Sequence, residues 1–300
     1  MSSAPSIFDY EIPLPDTKLA KKELRLLGFA ERYQRVHDQL QLLLRADEVT
    51  DWSKRHYKKR VIPLCDLTDE QYPLVVFHGD VGTGKTATAE CVANRSVTEA
   101  KAEDSILYKL SSRVRGSGKV GEMSSLLADA FQKIRESAGK KRHAILIIDE
   151  GDSLAARRTQ EHSHHEDKVA VNTLIQNIDR LREHGGRIVT ILCTNRLSIV
   201  DLALRRRAAV IEQFTRPTAQ ERRQLFDMDL QGIDLKQAQV DELVRLTGER
   251  DGEPAFTYSD IRSRLYPTAL ARAFPNRALT FNDLREVATA THATPVMEDK

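Results

Sequence analysis

The stretch Gly79-Asp80-Val81-Gly82-Thr83-Gly84-Lys85-Thr86 decides the fold of this chain. It reads G-x-x-x-x-G-K-T, the P-loop pattern. Its glycines let backbone N–H groups turn inward and line a concavity for phosphate oxygens. Lys85 is placed to reach the β- and γ-phosphates of a nucleotide, and the Thr86 hydroxyl to bind Mg²⁺. Both flanks agree with this reading. Leu74-Val75-Val76-Phe77 before the loop is a β-branched and aromatic run, which predicts a buried strand. Ala87-Thr88-Ala89-Glu90-Cys91-Val92-Ala93 after it predicts a helix whose positive dipole end faces the phosphates, with Ala87 in its first turn. A chance Gly-rich turn would not have strand, loop and helix in register.

Outward from the loop, apolar runs alternate with helical patterns between residues 61 and 216. Strands are expected at 74–78, 105–110, 144–148, 187–193 and 209–214. Helices are expected at 122–137, with Leu126, Leu127, Ala130, Phe131 and Ile134 on one face, and at 167–183, with Val171, Leu174, Ile175, Ile178 and Leu181. Such alternation predicts an α/β domain whose parallel sheet, of five strands, is covered by helices on both faces. Beyond Pro217 the strands stop. Thr218-Ala219-Gln220-Glu221 is a capping box, and helical patterns follow near 236–247, 259–274 and 281–291. Residues 217–300 therefore read as a small helical domain. Residues 1–60 read as an extended, Pro-bearing start followed by a helical segment. In it Phe29, Tyr33, Val36, Leu40 and Leu43 form one stripe that packs on the domain behind it.

Composition excludes several function classes. Lys and Arg total 46 against 44 for Asp and Glu, so a net charge of +2 gives no global field for nucleic acid or anionic membrane. No apolar stretch approaches a membrane span, and Met1–Ser6 has neither the basic start nor the apolar run of a signal peptide, which leaves the cytoplasm as the expected compartment. Cys65, Cys91 and Cys193 are scattered and odd in number, as free buried thiols would be. The basic run Arg55-His56-Tyr57-Lys58-Lys59-Arg60 reads as a solvated helix end before it reads as a nucleic-acid contact.

Three further clusters carry chemistry. Ala144-Ile145-Leu146-Ile147-Ile148-Asp149-Glu150 is an apolar strand ending in two carboxylates, which alternate in direction. Asp149 is expected to hold the metal and Glu150 to polarise an attacking water, at the end of a parallel sheet where ligands bind. Thr194-Asn195-Arg196 ends another core strand; beside a P-loop, the Asn195 amide is expected on the γ-phosphate and the water. Arg205-Arg206-Arg207 follows a short amphipathic run and reads either as a solvated helix end or as an arginine finger for a neighbouring site.

P-loop, acidic pair, strand-end Asn, arginine cluster and helical lid together resemble the AAA+ ATPases over residues 61–292. The resemblance implies Arg206 or Arg207 as the finger and Arg262 or Arg264 of the lid near the γ-phosphate. It narrows further. Asp149-Glu150-Gly151-Asp152-Ser153-Leu154-Ala155-Ala156-Arg157 and Val171-Asn172-Thr173-Leu174 are similar to the protein-remodelling AAA proteins. Asp201-Leu202-Ala203 with Arg207-Ala208 and Pro217, and Phe131-Gln132-Lys133-Ile134, resemble the HORMA-domain remodellers. That group comprises the pachytene-checkpoint ATPase and its bacterial relatives in the cyclic-oligonucleotide antiphage systems termed CBASS. A start of only about 60 residues suits the bacterial branch. The resemblance implies an ATP- and Mg²⁺-dependent homo-oligomer, a hexameric ring, that acts on a HORMA-domain protein and through it on a cyclic-nucleotide synthase. It also puts a pore loop at Gly118-Lys119-Val120-Gly121-Glu122, where Lys119 replaces the family's aromatic. The tract Glu161-His162-Ser163-His164-His165-Glu166-Asp167 reads as a polar loop rather than a metal site. A helicase-loader type of nucleic-acid machine is the alternative, disfavoured by the near-neutral charge. A guanine-specific Asn-Lys-x-Asp run is absent.

Overall fold

The computed structural model describes residues 7–68, 70–102, 104–115, 121–139, 142–153, 165–250 and 252–297. Six strands form one sheet: β1 (Phe8–Leu14), β2 (Leu74–Gly79), β3 (Ser105–Leu110), β4 (His143–Ile148), β5 (Ile188–Thr194) and β6 (Val210–Phe214), in the order β1-β3-β4-β5-β2-β6. The five strands expected from sequence pair in parallel, whereas β1 pairs antiparallel with β3. The sheet is thus six-stranded and mixed rather than five-stranded and parallel. The stretch read from sequence only as extended and Pro-bearing is a strand; Pro13 is tolerated because β1 lies at the sheet's edge, where a missing N–H costs little.

Helices α1 (Thr17–Glu23), α2 (Phe29–Leu44), α3 (Val49–His56) and α4 (Leu64–Thr68) precede the P-loop. Helix α5 (Lys85–Glu99) follows it, and α6 (Glu122–Ala138), α7 (His165–Leu181) and α8 (Leu202–Arg207) complete the core. The strands are apolar on both faces because both faces are covered. Val76, Leu146 and Ile148 pack with Leu127, Phe131 and Leu174 of α6 and α7. Their chain neighbours Val75, Ile145 and Ile147 point the other way, onto Val36 and Leu40 of α2 and Val92 of α5. The α2 stripe is therefore part of the core, and the amino-terminal segment contributes both a strand and a helix to the α/β unit. Phe131 is fully buried, and its truncation to Ala costs about 3–5 kcal/mol.

The lid contains α9 (Ala219–Asp229), α10 (Gln237–Leu246), a π-helical turn over Asp260–Leu265 continuing as α11 (Tyr266–Ala273), and α12 (Phe281–Ala290). Its buried core draws on residues from Leu225 onward. The Thr218 hydroxyl accepts from the Glu221 N–H and the Glu221 carboxylate from the Thr218 N–H, so the predicted capping box starts α9. Among the described residues no helix is long and apolar enough to cross a membrane. The sheet presents the carboxyl ends of β2, β4 and β5 on one rim, and the lid stands over it.

Candidate active site

The P-loop leaves β2 at Gly79, whose backbone passes so close to β6 that a Cβ there would lie 1.9 Å from the Phe214 carbonyl oxygen. The loop returns to the helix at Gly84, in the left-handed conformation with φ +92°. Between them Val81 is exposed and Thr83 is buried, its hydroxyl donating to the Asp80 carbonyl at 2.7 Å. Gly82 faces the lid. A Cβ on it would meet Thr257 Oγ1 at 2.6 Å, and its carbonyl accepts from the Ser259 N–H at 3.1 Å. Lys85, Thr86 and Ala87 form the first turn of α5, so the helix dipole and the free N–H groups of that turn face the loop's concavity.

Lys85 is buried, and its ammonium donates to the Gly79 and Asp80 carbonyls at 2.9 and 2.8 Å. Burial pushes its pKa below the usual lysine range, against the pull of Asp149, Asp152 and Asp80. At the floor of the site, burial raises the Cys193 thiol, and Asp149 adds to the rise; the group stays neutral. The Thr86 hydroxyl is 2.9 Å from both carboxylate oxygens of Asp149, just beyond β4. One hydroxyl and one carboxylate, open on the loop side, are hard oxygen donors of the kind Mg²⁺ prefers, and nucleotide phosphates supply more. The residues present thus fit both a nucleotide and its metal.

Glu150 is exposed and has φ +51°, a left-handed backbone that costs a non-glycine residue about 1 kcal/mol or more. Its N–H donates to Asp149 Oδ1 at 3.0 Å. The left-handed backbone at the second acid of the pair ends the extended conformation of the strand there. Asn195, at the end of β5, is held by Asp152: its N–H and side-chain amide donate to that carboxylate at 2.9 and 3.3 Å, and the Thr194 hydroxyl at 2.7 Å. Asp152 reaches Asn195 because Gly151 lies against Leu192, with no room for a Cβ.

Two site residues escaped the sequence reading. Asp152 is one; its signal was an acid just past the pair, facing a strand-end Thr-Asn across the sheet. The other is Lys109 on β3, whose ammonium is 3.1 Å from Asp149 Oδ2. Lys109 pairs in register with Ile147, two residues before Asp149, so both side chains share one face. A lysine among the apolar residues Ile106 to Leu110 was the available cue.

The four arginines are placed differently. Arg207 makes a two-pronged pair with Asp179 of α7, at 2.5 and 3.0 Å, and lies 4.9 Å from the Tyr72 ring centroid. Arg206, beside it on α8, is exposed, and no acid among the described residues pairs with it. Arg262 holds Asp229 of α9 at 2.7 and 2.8 Å and the Arg25 carbonyl at 2.7 Å. Arg264 holds Asp260 at 3.0 Å and the His292 carbonyl at 3.1 Å. In this conformation neither lid arginine is brought to the phosphate loop. The pore-loop residues Gly118, Lys119 and Val120, the run 154–164 and with it His162 to His164 lie outside the described residues. Among the described residues no cluster of His, Cys, Asp and Glu of metal-binding size is found.

Comparison with known proteins places the chain in a family. Residues 75–216 match the family model "ATPase family associated with various cellular activities (AAA)". The chain is 62% identical, over 99% of both sequences, to CD-NTase-associated protein 6 of Escherichia coli (strain KTE188). It superposes with a TM-score of 0.88 and 36% identity on a chain of the solved E. coli MS115-1 HORMA:CdnC:Trip13 complex, covering 98% of this chain and 99% of that one. The solved Rhizobiales Trip13 matches with a TM-score of 0.70 and 29% identity, covering 96% and 99%. The chain belongs to the AAA ATPases, in the branch of the CD-NTase-associated and Trip13 proteins.

Proposed function

We propose that this protein hydrolyses ATP and uses the energy to remodel a HORMA-domain protein bound to a cyclic-nucleotide synthase. The observation that carries the catalytic half is the contact of Thr86 with Asp149, beside the strained Glu150 and the clamped Asn195. In a Michaelis complex Lys85 leaves the loop carbonyls for the β- and γ-phosphates, and the N–H groups of the loop take the remaining oxygens. Thr86 and Asp149 would hold Mg²⁺, which supplies charge neutralisation on those phosphates. Glu150 accepts a proton from the attacking water, which Asn195 orients. Arg206, exposed on α8, supplies the missing positive charge to the site of a neighbouring protomer. A finger given in trans requires an assembly, and a hexameric ring closes it.

The substrate half rests on relatives. The solved E. coli MS115-1 neighbour is a complex with a HORMA protein and CdnC, and the 62% identical relative is named for association with a CD-NTase. By this reading the ATPase takes the HORMA protein off the synthase and ends its signalling, as an off-switch in a cytoplasmic antiphage (CBASS) system. The test is to incubate a preformed HORMA–synthase complex with this protein and ATP and follow it by size-exclusion chromatography. Wild type separates the complex; Glu150→Gln, which binds ATP without turnover, leaves it intact. A complex that survives active wild-type enzyme overturns the substrate reading. A Glu150→Gln variant with wild-type turnover overturns the role given to Glu150.

A further inference from the structure

Arg216 is the last residue before Pro217, where the chain passes from β6 to α9 and so from core to lid. Each nitrogen of its guanidinium has a partner. Nε donates to Asp80 Oδ2 at 2.5 Å, and Nη2 is 2.5 Å from the same oxygen. Nη1 donates to the Ala255 carbonyl of the lid at 2.6 Å, and Nη2 to the Thr294 carbonyl at 2.7 Å. Asp80 and Arg216 are each only 12% exposed. The other Asp80 oxygen accepts from the N–H groups of Val81 and Met297, at 3.0 and 3.2 Å.

Thr294 and Met297 belong to the strap that follows α12 and crosses back to the P-loop. Thr294 donates its hydroxyl and its N–H to Asp260, at 2.6 and 3.2 Å. Asp260 begins the π-helical turn, next to the Ser259 that donates to Gly82. P-loop, hinge, lid and strap thus close a ring of hydrogen bonds through one guanidinium. Asp80, Arg216 and Val296 also line a cavity of about 290 Å³ with Asn195, so the ring adjoins the site.

A carboxylate in a loop that cradles phosphates has the wrong sign. Unpaired, it repels the nucleotide; paired with a buried arginine, it does not. Arginine suits the position because its five N–H groups sit on three nitrogens spread across a plane, and so reach partners further apart than the three N–H groups of one ammonium nitrogen can. We propose that Arg216 is a positioning residue of the ATPase: it cancels the Asp80 charge inside the phosphate loop and ties that loop to the lid and strap. Nucleotide at the loop and the lid's angle are then coupled through one side chain. This inference rests on the ATPase reading above.

The two roles separate experimentally. Affinity for a fluorescent ADP is measured by titration, and kcat by steady-state ATP hydrolysis. Arg216→Gln weakens ADP binding about thirtyfold or more, because Asp80 is left uncompensated. The double variant Asp80→Asn/Arg216→Gln recovers affinity to within about threefold of wild type, since the charge is gone, while kcat stays about tenfold or more below, since the lid tie is still missing. Arg216→Lys recovers affinity but not kcat. A double variant that binds as weakly as Arg216→Gln overturns the charge role, and one with wild-type kcat overturns the coupling role. Should Arg216→Gln not fold, Asp80→Asn carries the test: it must bind ADP at least as tightly as wild type, and weaker binding overturns the proposal. Lys85→Ala is the control. If it binds ADP like the wild type, the ATPase reading fails rather than the role of Arg216.

Discussion

The rim of the sheet and the helices around it place their polar groups in different ways. On the rim, Thr86, Asp149, Asp152 and Asn195 lie within hydrogen-bonding distance of a partner in the site. Around it, Arg207, Arg262 and Arg264 are each spent on an acid of their own protomer, and Arg206 faces outward. A group at a strand end is placed by backbone register, so its position in the sequence is its position in space. An arginine carries its charge at the end of a long rotatable stem, so its place in the sequence does not say what its head touches. Which arginines serve catalysis has to be decided by geometry.

The largest effect separates neighbours on α8. Arg206→Ala is expected to cut turnover by about three orders of magnitude with nucleotide affinity unchanged, the scale of a lost arginine finger. Arg207→Ala breaks the Asp179 pair and costs about 1 kcal/mol of stability, with a much smaller loss of turnover. Rings mixed from Arg206→Ala and Lys85→Ala protomers should regain activity, because each interface then needs only one sound half. Equal losses from both arginine variants, or no rescue in mixed rings, would erase the distinction between them.

On the rim, Asp152→Ala frees Asn195 to wander from the water it orients. Turnover should fall about a hundredfold with nucleotide binding nearly constant, since misplacement by about 1 Å has that effect. Wild-type kinetics would mean that Asn195 needs no clamp. The smallest effect belongs to the lid: Arg262→Gln should leave ADP affinity within about threefold of wild type and lower the melting temperature by a few degrees, through the lost Asp229 pair. A large loss of affinity with an unchanged melting point would return Arg262 to the nucleotide and collapse the contrast between rim and surroundings.

What was legible follows the same division. The strand expected at 105–110 is β3, and those at 74–78 and 144–148 differ from β2 and β4 by one residue at an end, because buried parallel strands are written as unbroken apolar runs. The P-loop and the acidic pair were readable since each is a local string. Strand β1 was not: Phe8–Leu14 does alternate as a half-buried strand should, but it carries Pro13, and its partner lies about a hundred residues away. Asp152, Lys109 and Arg216 were missed for a related reason. Each acts on a residue distant in sequence, and no local pattern marks a contact made across the sheet.

Strand β1 has a mechanical consequence. Without it, β3 would be the edge of the sheet, and the segment after β3 leads towards residues 118–122, the place the AAA+ resemblance gives to a pore loop. An edge strand is held in its sheet by a single hydrogen-bonded ladder. Flanked by β1 and β4, β3 is pulled lengthwise against ladders on both sides, and those bonds must yield together. Seven residues of antiparallel strand thus give β3 a second ladder that must also break before it can leave the sheet.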